Sequence, residues 1–218
     1  MHGYQDAPRQ DPRIVDEAAE VLDVAAASAV DCLRRSTVFH RMADGTLPFA
    51  GRAAYLEQHW EGLRLLRDAL DGRSAVLQTA LVSATKRFAR TLDRAHATAR
   101  WRDRHVTMPS MLQFRRHTTE LLDEGDHLAL AAQAYLRLLV GGECPTNGGP
   151  GIIDRQSLAA AVTALVDDEE HLERLSEELS AAVLLLMQHG SDVCRGYPQR
   201  DSQDSCTVTV STIRRALQ

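Results

Sequence analysis

Two groups of side chains have the types and spacing that chemistry needs. Asp168-Glu169-Glu170-His171 places a carboxylate and an imidazole at i and i+3, and Glu57 with Glu61 places two carboxylates at i and i+4. On a helix either spacing brings both groups to one face, as a metal held inside a helical bundle requires. Each also has a plainer account. Residues 167–174 are nearly all polar and read as a solvated helix start, while Glu57 and Glu61 fit a solvent-facing stripe near Arg64. His96, His105, His117 and His127 lie among arginines and acids without ligand spacing, which suits exposed or capping roles. The run of Arg87, Arg90, Arg94, Arg100, Arg102, Arg104, Arg115 and Arg116 is interleaved with Asp93 and Asp103 and reads as a solvated face with surface ion pairs. Gly141-Gly142 closes a long apolar run from Ala129 to Val140. Glycine costs roughly 1 kcal/mol against alanine within a helix, so the pair marks a C-cap, a kink, or a flat ligand against the backbone. No Gly-x-Ser-x-Gly, P-loop or dinucleotide fingerprint occurs.

The elements that would carry these residues are helices. Val15, Ala18, Ala19, Leu22, Ala25, Ala26, Ala29 and Val30 form an apolar stripe that predicts a helix from Ile14 through Leu33. Further helices are expected over 51–70, ending at Asp71-Gly72, and over 75–102, 110–123, 127–140 and 157–189, the last broken near Asp167-Asp168. Residues 1–13 read as a loose arm, residues 14–190 as one helical domain, and residues 191–218 as a flexible tail that includes the β-prone Val208-Thr209-Val210. The expected fold class is therefore all-α, with six or seven helices around one core.

Composition narrows the function classes. The chain has 218 residues, 44% hydrophobic, 25% charged and only 5% aromatic, which predicts a core of Ala, Leu and Val. A net charge of −5 argues against a nucleic-acid or anionic-membrane surface. Lys86 is the only lysine and Asn147 the only asparagine, a bias expected of a GC-rich bacterial genome. No apolar run reaches the length of a membrane span and the start lacks a signal-peptide pattern, so a cytoplasmic location is expected. Cys32, Cys144, Cys194 and Cys206 form no Cys-x-x-Cys pair and are expected to be reduced.

Four segments, in this order, are similar to segments of the heme oxygenase family: Val38-Phe39-His40-Arg41-Met42-Ala43-Asp44-Gly45-Thr46-Leu47-Pro48 with Glu57-Gln58-His59-Trp60; Arg87-Phe88-Ala89-Arg90-Thr91-Leu92-Asp93-Arg94-Ala95; Pro109-Ser110-Met111; and Ala134-Tyr135-Leu136-Arg137-Leu138-Leu139-Val140-Gly141-Gly142-Glu143. The last resembles the family's distal helix, Tyr-Leu-Gly-Asp-Leu-Ser-Gly-Gly-Gln. The likeness spans about residues 25–190 and implies a heme-oxygenase-like fold. It also implies heme as substrate and cofactor, oxidative cleavage to biliverdin, iron and carbon monoxide, and an external electron donor. By family position the cleft is lined by Val30, Tyr135, Leu138, Gly141 and Gly142.

The residues at those positions depart from the family's chemistry. Val30 stands where the resemblance places the proximal histidine, and neither Cys32 nor His40 falls on its face. Leu138 replaces the aspartate that organises proton-delivering water, Arg137 the first glycine, and Val140 the serine. The stretch from Leu158 to Val166 offers no basic residue for heme propionates. The resemblance thus implies a divergent member with impaired or lost heme cleavage and an apolar cleft for heme, without an identified axial ligand, or for another small hydrophobic or tetrapyrrole ligand. The alternatives are a non-catalytic binding or regulatory protein on the same scaffold, and a non-heme metal-dependent oxygenase of similar fold using Asp168, His171, Glu57 and Glu61.

Overall fold

Asp11 accepts a hydrogen bond from the Arg13 backbone N–H and Pro12 occupies the first turn, so α1 (Pro12–Arg35) begins with a cap and a residue whose own missing donor costs nothing there. The computed structural model describes residues 11–143 and 154–199. Ile14, Ala18, Leu22, Ala26, Ala29 and Leu33 form the buried face of α1; Ala19 is exposed and Val30 only half-buried on the flank. Ser36 then serves two helices, donating to the Leu33 carbonyl and accepting from Phe39 N–H to start α2 (Thr37–Ala43). The remaining elements are α3 (Phe49–Ala69), α4 (Ala75–His96), a 3-10 turn (Ala99–Asp103), α5 (Pro109–Glu124), α6 (His127–Gly142), α7 (Arg155–Thr163) and α8 (Glu169–Gly196). The described residues are all-α and contain no strand; Val208–Val210 lies outside them.

Two helices sit at the centre. Every residue of α3 from Ala53 through Leu63 is buried, and so is all of α6 except His127 and Leu139. Helix α3 packs against α4, α5, α6 and α8, while α6 touches α1, α3, α4, α5, α7 and α8. Such all-round burial is what a uniformly apolar helix like α6 predicts. In α3 it forces polar side chains inward, and each then needs a partner.

Three boundaries differ from the sequence expectation. Helix α4 ends at His96 rather than near Arg102, because Ala97 takes a left-handed conformation (φ 53°) and turns the chain into the 3-10 segment. Helix α6 runs through both glycines, with Glu143 as its cap. Helix α8 continues to Gly196, past the point where a tail was expected. There Gly190 is no terminator: a Cβ on it would lie 2.5 Å from Val38 Cγ1, so its missing side chain lets α2 pack closely. The expected break at Asp167-Asp168 is present, with Asp168 capping α8 through the His171 N–H. No described helix is long and apolar enough to cross a membrane.

Candidate functional site

The slot implied by family position is closed. Tyr135, Leu138, Gly141 and Gly142 are buried in α6, which packs directly on α1, and Val30 stands half-buried at the edge of that contact. A Cβ on Gly141 would meet the Phe88 ring of α4 at 3.3 Å and His59 Nδ1 of α3 at 4.0 Å. The space that glycine leaves is thus filled by the protein's own Phe88. An imidazole does stand beside Gly141, but it comes from α3 and stacks on Phe88, with ring centroids 5.8 Å apart and planes inclined by 20°. A porphyrin between iron ligand and glycine needs two van der Waals contacts, about 7 Å in all. Heme does not fit here, and Val30, Tyr135, Leu138, Gly141 and Gly142 wall none of five cavities of 570 to 770 Å³ found among the described residues.

The interior around His59 is polar and sealed. The rings of Tyr55, His59 and His189 lie 4.6, 5.1 and 5.5 Å apart in pairs. Arg137 is 1% exposed, lies 4.1 Å over the Phe114 ring, and covers Gly62 so closely that a Cβ there would meet its Nη1 at 2.5 Å. Gly62 therefore makes room for a buried guanidinium. Among the described residues no carboxylate pairs with Arg137, and its Nε and Nη1 have no hydrogen-bond partner. Burial pushes Arg137 down to about 10 and His189 down to about 3, the latter helped by the Arg137 charge. Burial also holds His59 well below its ordinary range, with the His189 and Arg137 charges adding to it. Both imidazoles are neutral bases that cannot take a proton near neutral pH.

The metal candidates are scattered among other duties. Glu57 and Glu61 are buried rather than facing solvent near Arg64, which instead pairs with Asp68 at 3.6 Å. Glu61 accepts from His105 Nε2 at 3.0 Å, from Thr107 Oγ1 at 3.4 Å and from Arg115 Nη2. Burial alone would raise the Glu61 carboxyl, but the bonds from His105 and Arg115 outweigh it and hold it below its ordinary value. Asp168 is exposed and His171 half-buried at the start of α8, close to the solvated helix start anticipated. No group of three or more His, Cys, Asp or Glu side chains among the described residues could hold a metal. The histidines read as exposed or capping are instead partners: His96 of Glu57, His105 of Glu61, and His117 of the buried Glu178 at 2.7 Å, which Gln133 Nε2 also reaches at 2.5 Å. Of the ion pairs expected from Asp93 and Asp103 among the arginines, Asp93 makes one, with Arg102 at 2.6 Å.

An open site lies on the far side of α3. The left-handed Ala97 reverses the chain, and Trp101 Nε1–H donates to Asp93 at 2.9 Å, which fixes the 3-10 turn over the helix it has just left. Gln58 anchors the next residues by donating to the Val106 carbonyl at 2.7 Å and accepting from Met108 N–H at 2.9 Å. Between this strap and α3 opens a cavity of about 670 Å³, walled by Phe49, Ala50, Ala53, Trp101, Val106 and Tyr197, with Glu57, His96, Thr98, Arg100, Arg104 and His105 as its polar groups. Phe49 and Val106 at its edge are 65% and 69% exposed, unusual for side chains of their size.

At the base, His96 Nε2 stands 2.7 Å from Glu57 Oε1, with the His96 ring stacked against Trp101 at 6.0 Å. Burial raises the Glu57 carboxyl despite the opposing charge of His96, whereas the hydrogen bond that His105 gives to Glu61 raises His105. The contact is an ion-pair distance and not an aligned hydrogen bond, since His96 Nε2 has no hydrogen-bond partner among the described residues; a carboxyl lifted toward neutrality beside an imidazole brings together the groups that general acid–base work uses. Sequence reasoning missed this cleft and the Arg137 interior. One signal was available: Glu57-Gln58-His59-Trp60-Glu61 spans more than a full helical turn, so on a central helix some of these must be buried.

No family model matches the chain, and no curated protein matches it.

Proposed function

We propose that this protein binds a small, mostly apolar organic molecule in the cleft between α3 and the 3-10 turn, on a divergent heme-oxygenase-like helical scaffold, and that it does not cleave heme. The observation that carries this reading is the cleft itself. Its volume lies in the range of small-molecule sites, one wall is aromatic and aliphatic, and the Glu57–His96 pair stands at its base. The filling of the Gly141 space by Phe88 supports the second half. Trp101 and Tyr197 hold a flat group by contact, while Glu57 and His96 exchange a proton with a donor or acceptor that reaches the base.

The test uses hemin and intrinsic fluorescence together. Trp101 lines this site and Trp60, the chain's other tryptophan, packs edge-on against it with ring centroids 4.8 Å apart, so a ligand there quenches the Trp101 emission. The expected result is no Soret shift with hemin, no biliverdin on adding reductant and oxygen, and saturable quenching by small aromatic compounds. That quenching is expected to disappear in Ala50→Phe, which plugs the cleft from an exposed position. Stoichiometric heme binding with biliverdin release would overturn the proposal.

A further inference from the structure

Besides Tyr197, five residues with acidic, basic or imidazole side chains wall the cleft: Glu57, His96, Arg100, Arg104 and His105. Three of them are already engaged. Glu57 and His96 face each other at 2.7 Å, and His105 gives its Nε2 to Glu61 at 3.0 Å. Arg100 and Arg104 differ from these. Both are exposed, and among the described residues neither side chain enters a salt bridge or donates a hydrogen bond, although Arg102 between them is committed to Asp93 through both terminal nitrogens. Of the three arginines in and just after the 3-10 turn, Arg102 holds the turn together, and Arg100 and Arg104 stand at the mouth.

The resulting polarity has a direction: an apolar wall of Trp101, Phe49 and Val106, a self-compensated pair at the base, and two uncommitted cations at the edge. A ligand cation would meet Arg100 and Arg104 at the entrance. A neutral ligand would leave both without a partner, and an anionic head group would gain charge-assisted bonds to planar guanidinium groups.

We infer that the cleft takes an amphipathic monoanion, an aryl or aryl-alkyl carboxylate, with its ring against Trp101 and its carboxylate on Arg100 and Arg104. This inference rests on the cleft being the binding site. It adds the ligand's charge, and with it the orientation, carboxylate at the mouth and ring against Trp101.

Three probes that share a ring and chain test it: 4-phenylbutyrate, 4-phenylbutanol and 4-phenylbutylammonium, each titrated into the intact protein at low salt while tryptophan fluorescence is followed. The carboxylate is expected to bind about tenfold or more tightly than the alcohol, with the ammonium weakest, a ratio matching the value of hydrogen bonds to charged groups. In Arg100→Gln/Arg104→Gln the carboxylate is expected to lose its advantage and bind no more tightly than the alcohol does to the same variant. These substitutions sit on exposed side chains, and the far-ultraviolet circular dichroism of the variant is expected to match the wild type. Equal binding of alcohol and carboxylate to the wild type, or a preference that survives in the double variant, overturns the anion inference and leaves the cleft standing. Saturable quenching by none of the three overturns the cleft and the inference together.

Discussion

The two faces of α3 show opposite treatments of the same problem. On the α6 side, a missing Cβ at Gly141 is filled by Phe88 and a missing Cβ at Gly62 by the guanidinium of Arg137, and the polar groups caught there are neutral or unpaired. On the 3-10 side, the strap from Ala97 to Met108 stands off the helix, and carboxylates pair with imidazoles around a space that stays open. Glycines next to a helix thus say that something approaches closely, not whether it is a ligand or another side chain. Openness comes instead from a backbone held at a distance by specific hydrogen bonds, here Gln58 to residues 106 and 108 and Trp101 to Asp93.

The largest expected effect attacks the sealed face. Phe88→Ala removes a fully buried ring beside Gly141 and is expected to cost about 3–5 kcal/mol, read from urea denaturation. If the face were a dormant ligand slot, the cost would be far smaller. Arg137→Met keeps the side chain's length and deletes a buried charge that has no carboxylate partner among the described residues. It is expected to raise stability by about 1–4 kcal/mol, the range found when buried ionic groups give way to apolar ones. A fall in the urea midpoint would mean that the guanidinium is compensated within the core.

Acid sharpens the contrast further. His189 takes its proton near its ordinary value of 6.5 when unfolded but only at about 3 when folded, and His59 is shifted in the same direction. Each therefore lowers stability as pH falls below about 6.5, by up to about 1.4 kcal/mol per pH unit. His105, raised by Glu61, works in reverse: its contribution is full below about 6.5 and is lost as pH rises through its higher folded value. His189→Met is expected to flatten the acid limb between pH 6 and pH 4 by one proton's worth of slope, and an unchanged slope would place the acid sensitivity elsewhere. The smallest effect belongs to the open face. Glu57→Gln keeps the shape and one hydrogen-bonding group, so about 0.5–1.5 kcal/mol is expected, alongside loss of the pH dependence that the Glu57 carboxyl gives to ligand binding. A cost as large as that of Phe88→Ala would make Glu57 a structural residue.

Much of the fold was legible because helices announce themselves locally. The stop at Asp71-Gly72, the break before Asp168 and the burial of Ala18, Leu22, Ala26 and Ala29 in α1 all follow from spacing and capping within a few residues. Two boundaries failed for want of a local sign: Ala97 adopts a left-handed conformation without glycine or asparagine, and Gly190 is a packing notch rather than an end. The candidate site was less legible, since its pairs join residues far apart in the chain. Glu61 meets His105 and Arg115, Glu57 meets His96, and nothing in the neighbourhood of either glutamate points to those partners. The polar residues of α3 suggested solvent because position within the bundle, not sequence, decides that this helix is surrounded.

Tyr197 carries a practical consequence. It follows α8 directly, its carbonyl receives Arg41 Nη2 at 2.8 Å, and its Cβ lies 3.0 Å from where a Cβ on Gly51 would be, so one of the last described residues is pinned into the cleft wall. Trimming the chain at the expected end of the domain, near residue 190, would remove a piece of the binding surface together with the latch that α2 keeps on it. A shortened version that fails to bind would then report a missing wall, and engineering at this end should begin beyond Tyr197.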